Sequence, residues 1–313
     1  MRTRSYQKRD RKNRKKMQLD QMLYERLTTD AGPSALLARY DNRPAVFYQQ
    51  AAPANDKKWG AKQYPRIDYT IGLQEDPARN TSGILTIHVW CDFENPIDPE
   101  TIEMQLRKSL HAVFVRAKDD TYCIAWLRSD AWQVRNQKDE SLETTGITLT
   151  FDLIAFPGQA TTTPDPIKAL NEWTKALLPQ ATVIGLDAFY GWIEPSRDRP
   201  VVYWRIASQG MHQQKHAMTW MDAMIEGHVY ARNAPDRLAV LSRINATASQ
   251  INHVPMEDGS PLFLYSLTMM PQTNYLRQGQ IVARARYGIL RDWYANPAPE
   301  PKLRNISTTV KGV

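Results

Sequence analysis

The stretch GITLTFDLIAF, at residues 146–156, decides the fold class of this chain. Its apolar side chains fall on every second position from Ile147 to Leu153, and polar side chains such as Thr148 and Asp152 stand between them. Successive side chains of a β-strand point to opposite faces of the sheet. The alternation therefore predicts a strand in a sheet that has one covered face.

Two further strands precede this stretch and predict a long hairpin. RIDYTI, at residues 66–71, alternates in the same way, and ILTIHVWCD, at residues 84–92, is its returning partner. The connector GLQEDPARNTSG between them is polar and rich in turn residues. A sheet of this kind needs helices or a second sheet to cover its apolar face.

Helical patterns alternate with the strands along the chain. The opening helix carries an apolar stripe that includes Leu19 and Leu27, and Asp98-Pro99-Glu100 is typical of a helix start, with a cap, an early proline and an early acid. Later helices are predicted from Ile167 to Leu177 and from Pro235 onward. Each helix stands at a similar place relative to the strands around it.

The order of elements occurs twice, which predicts a tandem duplication. RPAVFYQQ, at residues 43–50, is echoed by RPVVYWRI, at residues 199–206, an offset of 156. Later matched points are Trp90 with Tyr230, Pro99 with Pro235 and Gly146 with Gly279, at offsets that fall from 140 to 133. The expected fold class is α+β, with two tandem repeats of a small antiparallel sheet flanked by helices, and longer loops in the first copy.

The pattern divides the chain into five segments. The expected segments are a basic arm at 1–16, a first copy at 17–156, a linker at 157–166, a second copy at 167–294 and an extended Pro-rich arm at 295–313. The linker is assigned to FPGQATTTPDP because that stretch holds three prolines and has no periodicity.

The net charge of +7 belongs to the N-terminus. Residues 1–16 sum to +8, so the remaining chain sums to −1. The cationic residues of this arm are Arg2, Arg4, Lys8, Arg9, Arg11, Lys12, Arg14, Lys15 and Lys16. Such a run is expected to be disordered when alone, and it is typical either of a solvated arm or of a contact with nucleic acid or an acidic protein. A further alternative places the natural start at Met17 or Met22.

Motifs that carry catalysis, cofactors or metals are missing from the sequence. Phosphate-binding glycine loops and nucleophile elbows are absent, and Cys91 and Cys123 are too few for a four-cysteine zinc site. His212 and His216 have a spacing that chelates a metal only on a helix, while their flanks resemble a loop entering a strand. The expectation is therefore a protein with no catalytic residue, cofactor or metal, and the absence of a long apolar run predicts no membrane span.

Five phrases of the first copy resemble the tail terminator, or tail completion, proteins of long-tailed bacteriophages and prophages of Gram-positive bacteria. The phrases are LYERLTTD, RPAVFYQQ, YPRIDYT, TSGILTIHVWCD and GITLTFDLIAF. The resemblance covers about residues 22–156, and residues 165–294 through the repeat. It implies a small sheet with helices on one side and a ring, usually sixfold, at the head-facing end of the tail tube. Three duplicated chains or six chains are both compatible with that symmetry.

The resemblance implies a structural protein of the virion that is assembled in the host cytoplasm. Its implied partners are further copies of itself, the tail tube protein and head–tail connector proteins, with DNA only passing through the lumen. The hairpin tip is the predicted subunit contact, through Leu73, Gln74, Glu75, Asp76, Arg79 and Asn80, and a solvated tip is the alternative for Glu75 and Asp76. Rivals within the same class are a tail tube subunit and a head–tail connector. The rivals from other classes are a nucleic-acid-binding protein that uses the basic arm and an enzyme of unrecognised chemistry.

Overall fold

Two β-sheets with helices organise the chain. The computed structural model describes residues 18–76, 82–93, 97–118, 120–135, 142–159, 161–271 and 274–291, so the predicted N-terminal and C-terminal arms lie outside the described residues. The helices are α1 Leu19–Thr29, α2 Ala31–Ser34, α3 Pro99–Leu110, α4 Pro166–Leu177 and α5 Ala234–Ala248. None of these helices is long and apolar enough to cross a membrane.

The first sheet has seven strands, and one of them comes from far along the chain. In chain order its strands are β3 Val46–Tyr48, β4 Arg66–Gln74, β5 Ser82–Asp92, β6 Val113–Ala117, β7 Asp120–Arg135, β8 Leu142–Ala155 and β10 Gly191–Ile193. They lie side by side in the order β10-β6-β7-β8-β5-β4-β3. A short two-stranded ribbon, β1 Arg39–Tyr40 with β2 Arg43–Pro44, precedes this sheet.

The second sheet has six strands. They are β9 Thr182–Val183, β11 Val201–Gln214, β12 Met218–Tyr230, β13 Val254–Pro255, β14 Pro261–Met269 and β15 Ile281–Leu290. Their spatial order is β13-β14-β15-β12-β11-β9.

The two sheets have the same topology once β10 is set aside. Strands β6, β7, β8, β5, β4 and β3 correspond one by one to β13, β14, β15, β12, β11 and β9. Helix α3 falls between β5 and β6, and α5 falls between β12 and β13. The predicted α+β fold with two sheet repeats flanked by helices is confirmed.

One pair of neighbouring strands in each sheet is parallel, whereas the sequence predicted purely antiparallel sheets. Strand β3 runs parallel to β4, and β9 runs parallel to β11. The connections at residues 49–65 and 184–200 are both longer than the roughly dozen residues that a parallel return requires. The edge strand can therefore enter in the same direction as its neighbour.

The echo between RPAVFYQQ and RPVVYWRI does not mark equivalent residues. The first phrase forms β2 and the edge strand β3, whereas the second forms the start of the hairpin strand β11, whose counterpart is β4. Strand pairing instead matches Val46 with Val183 and Ile67 with Val202, at offsets of 137 and 135. The expected offset of 156 is therefore wrong, whereas the offset still falls from 140 at Trp90 and Tyr230 to 132 at Leu149 and Ile281.

Each sheet buries one face against its own helices. The first core combines Leu23 and Leu27 of α1 and Ile102 of α3 with inward strand residues such as Leu85 and Phe151. The second core combines α4 and α5 with the strand residues Val202, Trp204 and Ile225. Helices α4 and α5 begin at side-chain caps, where Asp165 accepts from the Ile167 and Lys168 amides and Asn233 accepts from the Asp236 amide.

Candidate assembly interface

A third apolar cluster joins the helix-free faces of the two sheets. We call the strands β3–β8 with α1–α3 the first lobe, the strands β9 and β11–β15 with α4 and α5 the second lobe, and this cluster the lobe contact. Its buried members are Phe114, Cys123, Ala125, Ile154 and Phe156 from in and beside the first sheet, and Ile184, Val201, Tyr203, Tyr230 and Leu276 from the second lobe.

Strand alternation explains why these side chains reach the lobe contact. Val202 and Trp204 of β11 point to the helices of the second lobe. Val201 and Tyr203, which alternate with them along the strand, therefore point to the opposite face. The first four residues of β11 are therefore apolar on both faces of the strand. They are buried on both sides, unlike the residues of an alternating strand, which is covered on one face only.

Aromatic rings form the centre of the lobe contact. Phe114 and Tyr230 meet edge to face with ring centroids 4.8 Å apart, and Phe156 and Tyr203 do so at 5.1 Å. The hydroxyl of Tyr203 donates to the Pro157 carbonyl at 2.9 Å, and that of Tyr230 donates to the Leu276 carbonyl at 3.1 Å. The buried hydroxyls are therefore satisfied, and each ring pair contributes about 0.5–1.5 kcal/mol beyond its buried area.

A strand from the second half of the chain extends the first sheet. Residues Gly191–Ile193 pair antiparallel with β6, with Trp192 opposite Val115. Arg26 of α1 holds this strand, because its guanidinium lies 5.4 Å from the Trp192 ring and pairs with the Glu194 carboxylate. Arg26 also donates to the Ser109 carbonyl at 3.0 Å, so one side chain ties α1, α3 and β10 together.

An ion pair links the lobes beside the aromatic rings. Asp152 of β8 is almost fully buried, and its carboxylate contacts the guanidinium of Arg277 from the connection between β14 and β15. Arg277 itself is about half exposed, at 49% for the side chain. A buried carboxylate is costly unless it is paired, so this contact favours the observed docking of the lobes.

The lobe contact uses different strands from the two copies. The first lobe contributes residues of β6, β7 and β8, whereas the second lobe contributes mainly β11, β12 and the residue after β9, which correspond to β4, β5 and β3. A contact between non-equivalent surfaces of similar units is heterologous. It leaves the β3–β5 side of the first lobe and the β13–β15 side of the second lobe without a lobe partner in the described residues.

The predicted contact hairpin lies at the end of β4 and β5. Leu73 is half exposed and lines a cleft of about 500 Å³ with Leu19, Tyr48 and Tyr122, while Gln74 ends β4 and Glu75 and Asp76 follow it. The Ser82 hydroxyl donates to the Asp76 carboxylate at 3.2 Å. Gln74 and Glu75 are exposed, and Arg79, Asn80 and the basic arm lie outside the described residues.

Two other hairpins have longer arms than the predicted one. Beyond Ile124, β7 pairs only with β8, and beyond Val202, β11 pairs only with β12. The outer part of β11, from Ala207 to Gln214, is exposed on both faces. The residues of this arm, ASQGMHQQ, are mostly polar and show no alternation, so no strand signal marks it in the sequence.

The histidines singled out in the sequence lie in strands or turns. His212 belongs to β11 and His216 to the turn after it, so the helix that a chelating pair needs is not formed there. The Nδ1 atom of His212 lies 3.0 Å from the Asp222 carboxylate. His88 lies opposite Asp68 in the first sheet and His228 lies opposite Tyr203 in the second, so these two histidines occupy matched strand positions. In the described ranges, no group of three His, Cys, Asp or Glu side chains is arranged to hold a metal ion.

Comparison with known proteins gives remote structural similarity and no match by sequence family. No protein family model matches the chain, and no curated protein matches it. A chain from a structure described as the virion of a native gene transfer agent particle is 17% identical, with a TM-score of 0.32. The similarity covers 44% of this chain and 94% of that chain. At this TM-score the similarity carries no information on function.

Proposed function

We propose that this chain is a structural protein of a phage virion that works by forming a ring with copies of itself. The observation that supports the proposal is the heterologous lobe contact between two lobes of the same topology. A heterologous contact leaves one unused surface at each end of the pair, and repeated contacts of this kind close into rings when the rotation allows. Surfaces rather than catalytic side chains perform the function, so no residue is assigned a chemical step.

Within this class the proposed role is the tail terminator ring at the neck. Its partners are the tail tube protein below and head–tail connector proteins above, with DNA passing through the lumen. The charge of −1 outside residues 1–16 supports a lumen that does not grip DNA. The protein is accordingly placed in the virion tail, after assembly in the host cytoplasm.

Purified full-length protein tests the ring. Light scattering after size-exclusion chromatography measures its mass, and negative-stain images show its shape. The expected result is a closed particle with a central hole. A monomer at the highest soluble concentration overturns the proposal.

The tail tube subunit and the head–tail connector are the nearest alternatives, and the site of binding separates them. Full-length protein carrying a gold label is mixed with tail tubes of the phage that encodes it. Label at one tube end supports the terminator, and label along the whole tube supports a tube subunit. Label on isolated heads but not on tubes supports a connector.

The +8 run in residues 1–16 supports a second candidate, a nucleic-acid-binding protein. Deletion of residues 1–16 provides the test, with retention on a DNA column at low and moderate salt as the readout. Loss of DNA retention with an unchanged particle mass supports an arm that adds DNA binding to a ring protein. DNA retention by a full-length monomer instead favours the nucleic-acid-binding protein as a whole.

A further inference from the structure

We infer that the lobe contact inside the chain is repeated between chains, with the β3–β5 side of one copy docking on the β13–β15 side of the next. This inference rests on the proposed ring and names its interface. The two free surfaces are the counterparts of the two surfaces that already meet in the lobe contact. We therefore assign a second copy of this chain as the molecule that occupies each free surface.

The free surface of the first lobe carries counterparts of the residues that the second lobe buries. By strand register, Arg66, Asp68 and Trp90 correspond to Val201, Tyr203 and Tyr230. The Trp90 ring meets Trp132 edge to face at 4.6 Å, and the Arg66 guanidinium lies 5.4 Å from the Trp90 ring. The surface thus offers aromatic area with one cationic and one acidic side chain.

The loop at residues 49–65 is the counterpart of the segment that holds β10. Both segments connect the parallel edge strand to the first hairpin strand. The loop is held in place because the Tyr40 hydroxyl donates to Asp56 at 2.8 Å and Trp59 packs on Tyr40 and Phe47. Its backbone is therefore fixed beside the β1–β2 ribbon, and by connectivity it corresponds to the segment that carries β10.

The free surface of the second lobe has an open strand edge on β14, whereas β10 pairs in the first lobe with β6, the counterpart of β13. Strand β14 pairs with β13 only through Pro261 and Leu262, and from Phe263 to Met269 it pairs only with β15. Tyr265 is 56% exposed at an irregularity of this strand, and the Arg286 guanidinium lies 5.0 Å from its ring. An open edge with an exposed aromatic side chain is suited to accepting another strand.

Charge distinguishes the inferred contact from the lobe contact. The second-lobe surface exposes Arg284 beside Arg286, and the first-lobe surface carries Asp68. The lobe contact is an apolar, aromatic cluster with the ion pair between Asp152 and Arg277, whereas the two free surfaces carry several charged side chains around their aromatic rings. Lobe docking is therefore permanent, and association between chains depends on concentration and weakens with salt.

The decisive experiment blocks each surface separately and then mixes the blocked proteins. Tyr265→Glu adds a charge on the second-lobe edge, and Lys57→Pro removes the backbone amide of an exposed turn position in the first-lobe loop, so that this position can no longer donate to a strand of the next copy. Arg284→Glu is a second, independent block of the second-lobe side. Met104→Glu and Leu238→Glu are matched controls, because both side chains are exposed on helices away from the two surfaces.

Each blocked variant is expected to associate at least about tenfold more weakly than the native chain, and the controls to assemble normally. A mixture of Tyr265→Glu and Lys57→Pro chains retains one intact surface of each kind, so it should form dimers that do not grow. The readouts are particle mass and thermal unfolding, which identifies a variant that fails to fold. Normal rings from both second-lobe variants contradict the inferred interface but remain compatible with the proposed ring. A native chain that stays monomeric contradicts both the interface and the ring.

Discussion

The ring of Phe114 in the first lobe meets the ring of Tyr230 in the second lobe edge to face, 116 positions further along the chain, with centroids 4.8 Å apart. The ring centroid of Tyr230 also lies 5.5 Å from that of Phe156, and the Tyr230 hydroxyl donates to the Leu276 carbonyl. One side chain therefore connects both sheets and the connection between β14 and β15. The two lobes are expected to unfold as a single cooperative unit.

Replacing Tyr230 with alanine tests that coupling. The change removes a fully buried ring, so the free energy of unfolding is expected to fall by about 3–5 kcal/mol. Denaturant unfolding followed by tryptophan fluorescence measures the loss. Met104→Ala is the control, because its exposed side chain should cost no more than about 0.5 kcal/mol. Equal losses from the two variants contradict the assigned role of Tyr230.

The ion pair between Asp152 and Arg277 gives a second prediction. Arg277→Met leaves the buried Asp152 carboxylate without this partner, and the expected cost is about 1–3 kcal/mol because a buried charge loses its compensation. Adding Asp152→Asn removes the charge and should recover part of that loss. A double-mutant cycle in denaturant measures the coupling, and strictly additive effects argue against an interaction across the lobes.

The clamp made by Arg26 is expected to control the docking of β10. Arg26→Ala removes the contacts to the Ser109 carbonyl, the Glu194 carboxylate and the Trp192 ring. Limited proteolysis should then cleave residues 184–200 faster than in the native protein, since the edge strand is released more often. Arg128→Ala is the control, because Arg128 makes only an exposed ion pair with Asp130. An unchanged cleavage rate is inconsistent with the clamp.

Both cysteines are expected to resist thiol reagents in the folded protein. Burial raises the pKa of the Cys91 thiol to about 12, and Cys123 is buried in the lobe contact. A raised pKa leaves almost no thiolate at pH 8, and the thiolate is the reactive form. Absorbance during treatment with an aromatic disulfide reagent should show little reaction before denaturant is added and two thiols afterward. Prompt reaction of one thiol without denaturant means that the lobe contact or the first core opens readily.

The sequence predicted most of the elements because their signals are local. The stripe from Leu19 to Leu27, the helix start at Pro99 and the alternation from Ile147 to Leu153 each report a buried face through their own period. The order of these elements also predicted the duplication. The same logic failed for RPAVFYQQ and RPVVYWRI. Similar residues form an edge strand in the first lobe and, in the second lobe, an inner strand that is buried on both faces at its start.

The sequence alone determined that this protein is an α+β molecule with a repeated sheet, because the spacing of apolar residues and the order of the elements can both be read from neighbouring residues. Only the tertiary structure decided that Trp192 joins the first sheet, that Asp152 meets Arg277, and that the lobes contact through non-equivalent strands. Those relationships join residues far apart in the chain. Their free energy comes from burying complementary surfaces of two folded lobes, and a surface of that kind has no sequence period.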